Sequence, residues 1–176
     1  MLNQRLGRPT ITWAILLVFG VAVQPVPVLG QEKPPATQST AAPWATQCAS
    51  AARGATLECS MEQRLVLEGS GQFLARLVIK QHASGQPPVM MLHVPLGVSL
   101  PAGLRLGVDD AANGIQLAYQ TCDGSGCYAA EQIAEPVLAG LKAGKQLSLH
   151  FEDAAKRPID LRFSLEGFAA SYDSIN

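Results

Sequence analysis

The 176-residue chain carries 13 Lys plus Arg against 14 Asp plus Glu, a formal net charge of −1, and 48% of its residues are hydrophobic. So even a balance, with no basic run longer than Lys156-Arg157, excludes a nucleic-acid binder that works through a basic face. The length suits one main domain with a real apolar core.

At the N-terminus Arg5 and Arg8 precede an apolar run, Ile11 to Val23, which breaks at Pro25 and Pro27 and leads to Val28-Leu29-Gly30. A basic start, a short apolar stretch and small residues before a cleavage point are the features of a secretory signal peptide, expected over residues 1–30. The 13-residue run is too short for a membrane anchor, because at 1.5 Å per residue a helix needs about 20 to cross a bilayer. No cysteine follows closely enough for lipid attachment, and Arg5 and Arg8 are not adjacent, so a twin-arginine signal is unsupported. Export is expected to the periplasm, the outer membrane or the medium. The mature chain then holds 11 basic and 14 acidic residues, a net of −3, and no transmembrane segment.

Residues 31–43 (QEKPPATQSTAAP) lack large apolar side chains and read as a Pro-rich flexible linker, unable to bury enough surface to offset ordering entropy. The folded domain is expected over residues 44–176. Runs with period-two alternation predict strands at Leu57–Leu67, Phe73–Ile79, Val89–Val94, Leu104–Val108, Ile115–Tyr119, Cys127–Ile133, Gln146–Phe151 and Ile159–Leu165. Turn signals separate them: Glu68-Gly69-Ser70-Gly71, Ser84 to Pro88, Pro101-Ala102-Gly103, Asp109 to Gly114 and Lys142-Ala143-Gly144. Glu135–Ala143 breaks the rhythm. With Pro early, Val137, Leu138 and Leu141 on one face and Gly144 at its end, it predicts a short helix. Gly167 to Ile175 predicts a second helix packing Phe168 and Tyr172, with a terminal strand as the alternative. Many short strands at even spacing favour a sandwich or barrel.

Four cysteines punctuate this pattern. Cys48 and Cys59 enclose ten residues, and Cys122 and Cys127 enclose four. Four cysteines allow three pairings, and in an oxidising envelope two local bridges are the simplest. A zinc site is the rival, but the first pair is too wide for a zinc knuckle. A thioredoxin-like centre needs Cys-x-x-Cys, which is absent. Closing loops of this size would stabilise the fold by about 2 to 3 kcal/mol each.

Catalytic patterns are missing. His82, His93 and His150 lie far apart and form no zinc motif, and Gly69-Ser70-Gly71 and Gly124-Ser125-Gly126 lack the outer glycines of a nucleophile elbow. Asp109-Asp110 lacks calcium-ligand spacing and reads as a turn, as does Asp123-Gly-Ser-Gly. No Gly-rich phosphate cradle opens a helix. No catalytic, cofactor-binding or metal residue is assigned.

Five separated motifs, in this order, carry a resemblance: Trp44 with Cys48; Leu57-Glu-Cys59-Ser-Met-Glu-Gln63; Val94 to Gly103 (VPLGVSLPAG); Tyr119-Gln-Thr-Cys122 with Gly126-Cys127; and Phe163 to Asp173 (FSLEGFAASYD). The chain resembles the invasion-associated locus B family of Gram-negative bacteria across essentially the whole mature domain. The resemblance implies a mainly β fold, an immunoglobulin-like β-sandwich with one or two short helices, in an envelope or secreted protein without enzymatic activity or cofactor. It carries Cys48, Cys59, Cys122 and Cys127 over as structural cross-links. A strict immunoglobulin signature is absent, because Trp44 precedes both cysteine pairs and their short loops cannot pin two sheets together.

Two functions are expected to compete. The first is a non-enzymatic interaction protein of the envelope or medium with an unknown protein, envelope or host-surface partner, contributing in pathogenic relatives to host-cell association. The alternative is a periplasmic small-ligand-binding or enzyme-accessory protein, whose sign would be a concave apolar pocket.

Overall fold

A computed structural model describes residues 39–41, 43–50, 52–81, 86–109 and 114–176. The expected signal peptide, most of the expected linker, His82, the Ser84-Gly85 turn and Asp110 to Asn113 lie outside the described residues. Among the described residues no helix is long and apolar enough to cross a membrane.

The chain forms two β-sheets with two short helices. The strands are β1 (Ser39–Ala41), β2 (Ala45–Ser50), β3 (Leu57–Leu67), β4 (Phe73–Gln81), β5 (Val89–Val94), β6 (Leu104–Val108), β7 (Ile115–Leu117), β8 (Thr121–Asp123), β9 (Gly126–Gln132), β10 (Gln146–Glu152) and β11 (Pro158–Ser164). The helices are α1 (Glu135–Ala143) and α2 (Phe168–Ile175). One sheet runs β1-β3-β4-β5-β9-β8, with β2 also on β3, and the other runs β11-β10-β6-β7. Strands β1 and β2 lie end to end along one edge of β3, opposite Leu65–Leu67 and Leu57–Glu62 respectively. The last residues of the segment read as a flexible linker are therefore a strand: Ser39–Ala41 gain ladder hydrogen bonds that their composition does not announce.

Alternation builds the sandwich. Met61 and Leu65 on β3, Leu77 and Ile79 on β4, and Leu92 and Val94 on β5 are buried together with Leu104 and Leu106 on β6, Leu149 and Phe151 on β10, and Phe163 on β11, in one continuous core. Each of these six strands thus has one apolar face turned inward, as its period of two requires. Leu138 and Leu141 of α1 and Phe168, Tyr172 and Ile175 of α2 join the same core. The second helix is the outcome for the C-terminal segment, in place of the alternative terminal strand.

The stretch from Pro95 to Gly103 carries the chain from β5 in the first sheet to β6 in the second. Ser99 N–H donates to Glu152 O at 2.8 Å, Ala154 N–H donates to Gly97 O at 2.7 Å, and Leu100–Ala102 form a single 3-10 turn. Gly144 ends α1 for a reason other than the left-handed conformation common at helix ends. Its φ is −75°, and an added Cβ would overlap a Val108 methyl and sit 2.9 Å from Gly140 O. Space, not handedness, selects glycine there.

Polar groups seal the seam between the sheets. Gln63, only 2% exposed, accepts the Ser164 N–H on Oε1 at 2.9 Å, and the Trp44 indole N–H donates to Ser164 O at 3.1 Å. Trp44 also meets Phe168 edge-on, with ring centroids 5.1 Å apart. Both backbone groups of Ser164 are thereby paired across the sandwich, where an unmade bond would carry its full desolvation penalty. Replacing Gln63 by Leu leaves the Ser164 N–H without this acceptor and is expected to cost about 1 to 3 kcal/mol in chemical denaturation; an unchanged midpoint would show that the seam does not need it.

Asp109 closes the start of β10, at Lys145 and Gln146. Its Oδ1 accepts the N–H groups of Lys145 and Gln146, each at 2.9 Å. These bonds, the one from Gln146 foremost, hold the carboxyl below the usual aspartate range. A depressed folded-state value supplies stability that is complete above the unfolded-state range and lost as pH falls through the folded one. Asp109→Ala is therefore expected to lower the melting temperature at pH 7, with the gap to the parent protein narrowing as the pH is taken down through and below the ordinary aspartate range.

Candidate binding face

The four cysteines form two bridges, Cys48–Cys59 and Cys122–Cys127, with Cα atoms 4.0 Å apart in each, and the described residues hold no free cysteine. Each joins residues directly opposite in antiparallel strands, β2 with β3 and β8 with β9, so both staples lie within the first sheet. Bridged sulfurs supply no thiolate for zinc. No group of three His, Cys, Asp or Glu side chains among the described residues could hold a metal ion.

The Cys122–Cys127 bridge closes a hairpin whose loop is Gly124-Ser125. Asp123 Oδ1 accepts the Ser125 N–H at 2.7 Å and the Gly126 N–H at 3.3 Å, and lies 3.4 Å from the Tyr128 hydroxyl, which donates to it. An aspartate binding the backbone two residues ahead is a turn-forming device, and here it also reaches the ring that follows the turn. At the other end of this motif Tyr119 packs against the core, its hydroxyl buried with no partner among the described residues, and burial pushes its pKa up to about 12.

Tyr128 belongs to a row. Cα partners run Arg64 to Arg76, Arg76 to His93, His93 to Tyr128 and Tyr128 to Thr121, across β3, β4, β5, β9 and β8. Their chain neighbours Leu65, Leu77, Leu92 and Ala129 are buried, so the row stands on the outward face of the first sheet. His93 stacks on Tyr128 with centroids 4.4 Å apart and planes within 9°, and meets Phe73 at 4.8 Å. The Arg64 guanidinium lies over Phe73, 5.5 Å from the ring centroid. His93 Nε2 is 3.1 Å from Ser125 O; a carbonyl only accepts, so Nε2 carries the proton and the hairpin loop orients the ring. Arg76 reaches Glu62 at 3.5 Å through one terminal nitrogen, while its buried Nε has no acceptor among the described residues. Arg64, Phe73, Arg76, His93, Ser125 and Tyr128 together line an open hollow of about 280 Å³.

A larger hollow of about 480 Å³ lies at the seam, between Pro43, Trp44, Gln63, Ser164, Glu166 and Ser171. Its Trp44 and Gln63 side chains already bond Ser164, which leaves fewer groups to recognise a ligand. The outward face of the second sheet is polar: His150 Nδ1 lies 2.7 Å from Asp160 Oδ1, directly opposite on β11. His93 and His150 thus sit on different sheets and form no common site.

Of the residues singled out in the sequence, the structure brings Cys122, Cys127, Asp123, Ser125 and His93 to one place. Arg64, Phe73, Arg76 and Tyr128 carry no motif of their own. Outward position in each strand was their only signal, and their assembly depends on register. Gly126 shows how tight the fit is, since an added Cβ would overlap the Val94 carbonyl oxygen and lie 2.6 Å from His93 Nε2. Gly126→Ala is expected to displace His93 from Tyr128 and to cost about 1 to 3 kcal/mol. Changed ring resonances of both residues together with a lowered unfolding midpoint would establish this, and an unchanged spectrum would refute it.

The family model described as "Invasion associated locus B (IalB) protein" matches residues 44–176. A search of curated proteins finds no match. Among solved structures, the crystal structure of invasion associated protein B from Bartonella henselae is similar with a TM-score of 0.65 and 25% sequence identity, covering 75% of this chain and 89% of that one. Two sheets, two local disulfides and a family model spanning more than half the chain agree, and this protein belongs to the invasion-associated locus B family.

Proposed function

We propose that this is an exported, non-enzymatic interaction protein of the envelope or medium, and that its binding surface is the outward face of the first sheet around Arg64, Arg76, His93 and Tyr128. One observation carries the reading: two arginines and a stacked ring system stand in register across neighbouring strands, with a buried Arg76 donor that no group of the described chain satisfies. Arginine and tyrosine are the residue types that dominate binding energy at interfaces. Export rests on the N-terminal pattern of basic residues and an apolar run, followed by disulfides in the folded domain.

The name of the Bartonella protein links that protein to invasion. Carried here as part of the proposal, the corresponding task is association with a cell surface. The alternative of a small-ligand binder would use the hollow at the seam, but the pairing of Trp44 and Gln63 with Ser164 favours the sheet face.

The test is binding of fluorescently labelled, oxidised protein to intact cells and to isolated envelopes, with fractionation of the native cells alongside. The parent protein is expected to associate saturably, and Arg64→Glu with Arg76→Glu to lose most of that association. Arg105→Gln, on the opposite sheet, is expected to keep it. Equal binding by all three would remove the face from the proposal, and retention of the native protein in the cytoplasm would remove the function.

A further inference from the structure

Charge is distributed along the row in a way that narrows the ligand. Arg64 and Arg76 are directly opposed on β3 and β4, an arrangement in which like charges repel. Among the described residues only Glu62 offsets them, through a single 3.5 Å contact to Arg76, and Arg64 makes no ion pair. The Arg76 Nε is buried without an acceptor among the described residues. Two guanidiniums short of acceptors match a planar or tetrahedral oxyanion, which takes parallel N–H bonds from such forks.

The far end of the row has the opposite character. Asp123 stands by Tyr128 on the hairpin, three strand spacings from β4, or about 14 Å. Between the arginines and Asp123 lie the imidazole, the phenol hydroxyl and Ser125, a run of hydrogen-bonding groups without a carboxylate. A uniform polyanion with a charge on every unit would place negative groups against Asp123, and a nucleic acid draws its affinity from many phosphate contacts, for which two arginines are too few. A ligand with one anionic group followed by hydroxyls suits both ends.

We propose that this face recognises an acidic saccharide, with a carboxylate or sulfate group held between Arg64 and Arg76 and neighbouring sugar hydroxyls hydrogen-bonded along His93, Tyr128 and Asp123. The proposal rests on the reading of this face as the binding surface. It adds the chemistry of what is bound: an acidic glycan of a cell surface or envelope, in place of an acidic peptide, a nucleic acid or a lipid.

Titration of the oxidised protein by NMR and calorimetry at about 0.15 M salt decides it. The probes are tetragalacturonate and a sulfated glycosaminoglycan tetrasaccharide, with maltotetraose, decaglutamate and a ten-nucleotide single-stranded DNA for comparison. At least one acidic oligosaccharide is expected to shift the resonances of Arg64, Arg76, His93 and Tyr128 and to bind at least about tenfold more tightly than the three comparison probes. Arg64→Gln and Tyr128→Phe, each with a native-like spectrum, are expected to weaken it about tenfold or more for the arginine and by less for the tyrosine. Arg105→Gln should leave it unchanged. Decaglutamate or DNA binding as tightly as the saccharides would overturn the ligand class, and so would the absence of binding by both acidic saccharides. If cell association still depends on Arg64 and Arg76 in that case, the binding face stands and only the glycan is wrong. If association is also independent of them, both fall.

Discussion

Closure of the sandwich depends on the backbone of Ser164. Its N–H and C=O lie at the end of β11 and are taken by Gln63 from the middle of β3 and by Trp44 from the link between β1 and β2. The apolar faces of the two sheets supply the bulk of the driving force, but that force is non-directional and does not choose how one layer sits on the other. Two hydrogen bonds from buried or half-buried side chains do choose, because a mis-set layer would strand polar groups in the seam. Trp44 joins the two roles, since the same ring that bonds Ser164 also packs against Phe168 of α2.

Much of this architecture was legible in advance wherever one face of an element is buried. Leu57–Leu67, Val89–Val94, Leu104–Val108 and the helix Glu135–Ala143 have the limits their periodicity indicates. The strands that escaped were β1, β2 and β8. Every residue of β2 is exposed, so Ala45–Ser50 has no apolar alternation to display and is a strand only because β3 and the Cys48–Cys59 bridge hold it. Similarly, Thr121–Asp123 is exposed throughout and owes its conformation to β9. The expected strand Ile115–Tyr119 stops at Leu117, where the chain leaves the second sheet to enter β8 in the first. The two local disulfides were readable from spacing and compartment, because each closes a short segment.

The binding face was illegible for a different reason. Arg64, Arg76, His93 and Tyr128 are separated by 12 to 35 residues, and each taken alone is a polar or aromatic residue at a solvent-facing position. What makes them a group is the register of three strand pairings, which no local pattern records. The motif of Tyr119 to Cys122 with Gly126-Cys127 ends one residue short of Tyr128 and pointed nearby. Its cysteines and glycines form the clasp, Asp123 and Ser125 aim the rings, and Tyr128 with Thr121 opposite it belongs to the row itself.

The two disulfides fall at opposite edges of one sheet, β2 with β3 and β8 with β9, while no cysteine lies in the second sheet. The layers are therefore unequal in how freely they can open. Sub-global fluctuations that release β6, β7, β10 and β11 meet no covalent restraint, whereas those that would peel the first sheet from either side do. Amide protons of the second sheet should accordingly exchange through smaller openings, and the arginine and ring row is carried by the layer that stays assembled while the other breathes.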